Sequence, residues 1–125
     1  MVDGSRDSVF TIAVDAGLQD YFVYHERMER GDVPEDVTHV RIHSSVRGIK
    51  RSAFNGCRQL RIVILNEELE EIGKHAFYQY TSLHEIVIPN AVRAIKDYAF
   101  SRCTGLRRVT LGDGLEEIRE KAFGD

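Results

Sequence analysis

The stretch Ile95-Lys96-Asp97-Tyr98-Ala99-Phe100-Ser101-Arg102-Cys103 decides the fold, because its pattern recurs along the chain. The dipeptide Ala-Phe occurs four times at steps of 23 residues, with Phe at positions 54, 77, 100 and 123. An isoleucine stands four residues before each alanine, at positions 49, 72, 95 and 118. A fixed period of roughly 20–50 residues is typical of solenoids and other repeat architectures.

Other apolar columns keep the same period, and the unit reads L-x-x-[VI]-x-[IL]-x-x-x-[VL]-x-x-I-x-x-x-A-F-x-x-[CY]-x-x. Its first part predicts a short strand in which Val63 and Leu65 face the core. Its second part predicts one helical or 3₁₀ turn on the opposite side. Because one unit cannot bury its apolar face alone, the units must stack, and the four phenylalanines should form a spine.

These motifs resemble the BspA-like class of leucine-rich repeats, whose 23-residue units carry I-x-x-x-A-F-x-x-C after the strand. The resemblance covers 37–59, 60–82, 83–105 and an incomplete unit, 106–125. The chain departs from the class at Tyr80, where cysteine is usual. The resemblance implies a leucine-rich repeat solenoid with a parallel sheet on its concave side and short turns on its convex side. It also implies a role in adhesion or protein binding.

The two ends of the chain raise different expectations. Residues 1–36 lie outside the repeat, contain β-prone runs at 9–14 and 21–24, and are predicted to be an N-terminal β cap. The last unit stops before its cysteine position, so we expect exposed apolar side chains there, at Leu111, Leu115, Ile118 and Phe123. This favours a fragment of a longer array, or an end that associates with another copy end to end.

Composition excludes several classes of protein. With 17 Lys and Arg against 20 Asp and Glu, the chain lacks the basic excess of a phosphate-driven nucleic-acid binder. No apolar run is long enough for a membrane span, and the first 30 residues lack the pattern of a secretory signal. A cytoplasmic location is therefore favoured, although the compartment stays unknown.

No catalytic, cofactor or metal motif stands out, so we predict a protein without enzymatic activity or cofactor. Cys57 and Cys103 are 46 residues apart, or two units, and are therefore predicted to be too distant for a disulfide. The five histidines do not gather at a chelating spacing: His39 and His43 on one strand would lie about 13 Å apart.

A column of charges alternates in sign from unit to unit, at Arg47, Glu70, Arg93 and Glu116. Opposite charges on neighbouring strands stabilise a sheet by about 0.2–1 kcal/mol per pair. We interpret the column as a solvated ladder that favours stacking.

The outward face of the strands is the best candidate site. Its columns are His39, Ile62, Glu85 and Arg108, then Arg41, Ile64, Val87 and Thr110, then His43, Asn66, Pro89 and Gly112. Ile62, Ile64 and Val87 would form an apolar group flanked by Arg41, Glu85 and Arg108, which is the form of a protein-binding patch. The competing interpretation is three aliphatic residues that merely favour strands.

Three functions follow as hypotheses. The first is a module that binds a protein or peptide on its concave sheet. The second is a structural N-terminal segment of a longer array that binds ligands through later repeats. The third, an enzyme, is disfavoured because no nucleophile and base can be brought together from the columns.

Overall fold

The computed structural model describes residues 21–29, 31–54 and 56–124, which wind as a parallel β-solenoid. The strands are β1 (Phe22–Tyr24), β2 (His39–Ile42), β3 (Gly48–Ile49), β4 (Ile62–Ile64), β5 (Glu71–Ile72), β6 (Glu85–Val87), β7 (Ala94–Ile95), β8 (Arg108–Thr110) and β9 (Glu117–Ile118). We call the side formed by β1, β2, β4, β6 and β8 the concave side. The side formed by β3, β5, β7 and β9 is the convex side.

Strand register shows that one sequence unit is one turn of the coil. Val40 on β2 lies opposite Val63 on β4. On the convex side Ile72 lies opposite Ile95. Both pairs are separated by the 23-residue period, so residues of one column become neighbours in one ladder.

The predicted phenylalanine spine is confirmed. The ring of Phe77 stacks between those of Phe54 and Phe100, with centroid distances of 5.0 and 5.2 Å. Phe123 continues the stack at 5.1 Å from Phe100. Phe54, Phe77 and Phe100 are buried, and burial of one such side chain is worth about 1.5–3 kcal/mol.

The convex side carries a succession of turns where one helical or 3₁₀ turn was predicted. Each unit forms a two-residue strand and then turns closed by i→i+3 bonds, such as Ala76 N–H to the Gly73 carbonyl at 3.1 Å. No described residue lies in a helix. A residue with positive φ recurs in these turns at Ser52, His75, Tyr98 and Lys121, and a second one at Gln79 and Arg102. This left-handed conformation stops a helix from propagating, and none of these residues is glycine, the usual signal for it.

The N-terminal segment adds a strand to the concave side. β1 pairs in parallel with β2, and Phe22 lies opposite Val40, a step of 18 residues instead of 23. The ring of Tyr24 packs 5.0 Å from that of Phe54 and so extends the aromatic spine. The strand expected at 21–24 is thus present, whereas the strand predicted at 9–14 lies outside the described residues. The division into a cap at 1–36 and repeats at 37–125 stays a prediction.

The two cysteines pack into the interior and are not bridged to each other. The thiol of Cys57 lies 3.5 Å from the Pro34 carbonyl, and that of Cys103 lies 3.1 Å from the Phe77 carbonyl. Burial, with a smaller contribution from the charge of Glu35, raises the pKa of the Cys57 thiol to about 11. A thiol with such a pKa is almost fully protonated at neutral pH, which suits packing rather than nucleophilic chemistry.

Apolar side chains of the last unit are exposed, as expected. Leu111, Ile118 and Phe123 are exposed, while Leu115 is partly buried.

The alternating charge column is confirmed only in part. Arg93 pairs with Glu70 at 3.9 Å, but Arg47 pairs with Glu68 at 3.0 Å, outside the column.

Candidate protein-binding cleft

The concave side consists of parallel strands, as the repeat predicts, but these strands form two separate hydrogen-bonded groups. β1, β2 and β4 form one sheet and β6 and β8 form another, with no hydrogen-bonded ladder between β4 and β6. A cleft of about 690 Å³ lies at this break. The convex strands β3, β5, β7 and β9 stay in one continuous sheet across the same units.

Pro89 removes one potential ladder donor at this break. In the first complete unit, the His43 N–H donates to the Tyr24 carbonyl at 2.9 Å and so ties its strand to the preceding one. Two units later the same column holds Pro89, directly beyond β6. Because proline has no N–H, it cannot make this bond, and prolines in sheets are confined largely to strand edges.

Three exposed aliphatic side chains line the cleft. Ile62 and Ile64 are 41% and 38% exposed on β4, and Val87 is 55% exposed on β6. Each of these strands also carries a buried residue that faces the core, Val63 on β4 and Ile86 on β6. The strand alternation that builds the core therefore also places the three aliphatic side chains outward.

All six residues of the predicted site lie on the concave side, and four of them line the cleft: Ile62, Ile64, Glu85 and Val87. Arg41 and Arg108 do not line it. Arg41 lies on β2, opposite Ile64 in the ladder. Arg108 lies on β8, where its guanidinium is 3.6 Å from the Glu85 carboxylate. The structure thus brings these residues to one face, and their role in binding stays a prediction.

His39 differs from its expected place on the solvent-facing column. It is only 8% exposed, because the Tyr21 ring packs edge-on against it at 5.2 Å. Its Nδ1 lies 2.8 Å from the Thr38 hydroxyl. Burial, followed by the charge of Arg61, lowers the pKa of His39 below its ordinary value of 6.5. The imidazole of His39, which lines the cleft, is therefore neutral at physiological pH.

Sequence reasoning did not assign several other lining residues to the site, namely His39, Arg61, Val63, Leu65, Glu67, His84 and Pro89. His39 and Pro89 stand in the outward-facing columns but were not assigned to the binding group, and the other five residues lie outside those columns. The one signal in the sequence was Pro89, because proline has no N–H to donate to a strand ladder.

The two ends of the cleft carry opposite charges. Arg61 lies just before β4 and Glu67 lies beyond its other end. Both side chains are exposed, and neither forms an ion pair within the described part of the chain. Glu85 is already paired with Arg108. The cleft therefore offers one open cation and one open anion at opposite ends of an apolar centre.

Within the described ranges, no group of three or more His, Cys, Asp or Glu side chains is arranged to hold a metal ion. In the same ranges, no helix is long and apolar enough to span a membrane.

Comparisons with known proteins agree with this architecture. The family model described as the BspA type leucine-rich repeat region (6 copies) matches residues 34–125. A search of curated proteins found no match. The crystal structure of a leucine-rich repeat protein from Bacteroides ovatus matches with a TM-score of 0.62 and 30% sequence identity. That match covers 66% of this chain and 21% of the Bacteroides chain. This chain belongs to the family of BspA-type leucine-rich repeat proteins.

Proposed function

We propose that this chain is a non-enzymatic interaction module that binds a protein or peptide in the cleft between β4 and β6. Membership of a leucine-rich repeat family supports an interaction scaffold. The observation that carries the proposal is the exposure of Ile62, Ile64 and Val87 on the two strands that line one cleft. Aliphatic side chains held open to solvent in a concave site are typical of binding surfaces.

The charged residues would orient the partner. Arg41 and the Glu85–Arg108 pair flank the apolar centre on neighbouring strands. An apolar core with a polar rim is the usual anatomy of an interface, in which the core supplies affinity and the rim supplies orientation. The ion pair itself is well exposed to solvent, so its own contribution to stability is small.

The double substitution Ile62→Glu with Ile64→Glu tests this proposal. We expect capture of partners from an extract of the source cells to fall about tenfold, since buried apolar anchors dominate interface energetics. Ile118→Glu is the matched control, because Ile118 is an exposed aliphatic residue on the convex side. The urea unfolding midpoint of each variant checks that the stack stays folded. Equal capture by the double variant and the control would contradict the proposal.

A second candidate is a structural segment of a longer array, with ligand binding in other repeats. Two observations favour it: the chain spans 21% of the solved relative, and Leu111, Ile118 and Phe123 are exposed on its last unit. Appending a further 23-residue unit should cover these side chains and raise the urea midpoint. Partner capture that appears only in the lengthened chain would favour this candidate over the cleft.

The exposed last unit could also bind a second copy of the chain end to end. Sedimentation velocity of the chain and of Phe123→Glu distinguishes it. A dimer that the substitution abolishes would support self-association, and a monomer in both samples would exclude it at the concentrations measured.

A further inference from the structure

A row of basic side chains borders the cleft where the concave strands begin. Arg61, His84 and Arg107 stand directly before β4, β6 and β8 and share one column of the 23-residue period. All three are exposed, and Arg61 and His84 line the cleft. The Arg107 N–H donates to the His84 carbonyl at 2.8 Å, so these two residues are neighbours at the start of the β6–β8 ladder. We call the three residues the basic row.

The two arginines of the basic row are not neutralised by carboxylates of the chain. Neither Arg61 nor Arg107 forms an ion pair within residues 21–29, 31–54 and 56–124. Among the described concave strands, Glu85 is the one acidic residue, and its carboxylate is 3.6 Å from the Arg108 guanidinium. Two guanidinium groups therefore stay open to a partner on a chain whose net charge is -3.

The opposite edge of the concave side is acidic. Glu67 and Asp113 follow β4 and β8, and both are exposed and form no ion pair within the same described ranges. The exposed aliphatic side chains of β4 and β6 lie between this edge and the basic row. Carboxylates of a bound segment would be attracted to the basic row and repelled from the Glu67 edge. The charges therefore set one orientation for an acidic partner.

The basic row and the aliphatic side chains are close enough for one short segment to contact both. Neighbouring strands lie about 4.8 Å apart, so Arg61 and Arg107, which are two strands apart, are separated by about 10 Å. Ile62 and Ile64 follow Arg61 along β4 within about 10 Å. A partner that lies across the strands on the concave surface therefore meets both groups at once.

This combination fits a protein segment better than a nucleic acid. Nucleic-acid binding takes its affinity from many phosphate contacts, whereas this surface offers two open arginines beside three exposed aliphatic side chains. Exposed ion pairs contribute little by themselves, so most of the affinity must come from apolar contacts. Only a partner that itself carries apolar side chains supplies them.

We infer that the cleft binds a segment of another protein that combines aliphatic and acidic side chains. The aliphatic side chains pack on Ile62, Ile64 and Val87, and the carboxylates pair with Arg61 and Arg107. The segment lies on the concave surface across β4, β6 and β8. This inference rests on the proposed function, since it names the chemistry and the orientation of the partner in the same cleft.

Selection from a library of random peptides of about twelve residues, displayed on phage, tests the chemistry of the partner without presupposing its sequence. The wild-type chain should enrich peptides that combine aliphatic residues with at least two Asp or Glu residues, by about tenfold over the unselected library. Arg61→Glu with Arg107→Glu should not enrich them, because the carboxylates then meet like charges. Binders with no excess of Asp and Glu, or a selection that yields no binders, would overturn the inference.

Charge exchange tests the two arginines. A synthetic copy of the most enriched peptide is compared with a version in which Lys replaces every Asp and Glu. The wild-type chain should bind the Lys version about tenfold more weakly, and Arg61→Glu with Arg107→Glu should reverse this preference. The reversal also shows that the variant is folded.

The matched control is Arg51→Glu with Lys121→Glu. It changes the net charge by the same amount at two exposed residues of the convex turns, neither of which forms an ion pair in the described part of the chain. This control should keep the wild-type preference for the acidic peptide. If it reverses the preference as well, overall charge alone decides binding and the assignment to Arg61 and Arg107 is wrong.

Uncharged substitutions separate this inference from the proposed function. Ile62→Thr with Ile64→Thr removes aliphatic surface without adding charge and keeps residues that favour strands. Loss of binding to selected peptides that lack acidic residues would show that the cleft is the site and that the acidic class of partner is wrong. Undiminished binding of acidic peptides to this variant would overturn the cleft assignment itself.

Heparin is the probe for recognition of negative charge alone, because it is a sulfated polyanion without aliphatic side chains. The wild-type chain should bind it at least about tenfold more weakly than the selected peptide. Heparin binding as tight as peptide binding would overturn a protein segment as the partner in favour of a polyanion.

Discussion

The convex and concave sides of this solenoid are built by the same 23-residue unit, yet only one of them closes into a continuous sheet. On the convex side, β3, β5, β7 and β9 pair in one sheet. On the concave side the sheet opens between β4 and β6, where a cleft forms. The repeat therefore determines how the units stack, and individual residues determine where a strand ladder is interrupted.

The two sides share one packed interior but differ in the hydrogen bonds between their strands. The interior is filled by phenylalanine rings that stack about 5 Å apart through every unit, which holds the turns at the spacing of a strand ladder. The concave strands lie between this interior and solvent, and at Pro89 they lose a hydrogen-bond donor. A local defect can open one ladder while the other ladder and the interior keep the units together.

The largest expected effect is on the spine that the two sides share. Phe77→Ala should lower the free energy of unfolding by about 3–5 kcal/mol, because it empties a fully buried site between two stacked rings. Val87→Ala, on the exposed cleft wall, should change it by less than about 0.5 kcal/mol. Urea unfolding measures both. Similar losses in the two variants would show that the cleft wall is part of the core.

A methyl group inserted between convex turns should have the next largest effect. A Cβ on Gly73 would collide with the backbone carbonyl of Ile49, whereas one on Gly48 would meet only ordinary contacts near 3.9 Å. Gly73→Ala should therefore cost about 1–3 kcal/mol of stability. Gly48→Ala should be neutral or slightly stabilising. A Gly73→Ala protein as stable as the wild type would mean that the convex turns are looser than described.

Restoring a donor on the concave side should narrow the cleft. Pro89→Asn supplies the missing N–H and copies Asn66, the residue one unit earlier. One regained hydrogen bond is worth about 0.5–1.5 kcal/mol. We expect weaker fluorescence of an apolar dye in the cleft, with Pro34→Ala as the control. Dye fluorescence that is unchanged by Pro89→Asn would mean that Pro89 does not hold the cleft open.

The smallest expected effect is a dependence of stability on pH. The folded-state pKa of His39 lies below its ordinary value of 6.5, so around that pH the unfolded chain binds more protons. The stability contributed by neutral His39 is complete above pH 6.5 and declines as the pH falls towards the folded-state pKa. The urea midpoint should therefore fall between about pH 7.5 and about pH 5.5, and His39→Gln should flatten this fall. His75, whose pKa is also lowered by burial, keeps part of the slope in that variant.

Much of the fold could be predicted from the sequence, because the Ala-Phe and isoleucine columns repeat at a constant spacing and each column becomes a ladder. Tyr24 and Phe54 show where this reasoning stops, since the N-terminal step of 18 residues does not obey the period. The conformation of the convex turns could not be predicted from the repeat columns either. Their left-handed positions are held by Ser52, His75, Tyr98 and Lys121, residues that carry no local signal for that conformation.

The apolar part of the candidate site was predictable for the same reason as the core. Alternation along a strand places Ile62 and Ile64 outward once Val63 is assigned inward. The cleft itself was not predictable, because column arithmetic gives every pair of neighbouring units the same distance. The burial of His39 under Tyr21 was missed because Tyr21 belongs to no repeat column.

Native-state hydrogen exchange of the free chain tests the central claim most directly. The amides of Gly73 and Lys96, bonded across the convex sheet at 2.9 Å, should exchange at least about tenfold more slowly than those of Val63 and Val87, which face the open cleft. Equal and strong protection at all four amides would show that the concave ladder is closed and would contradict the account.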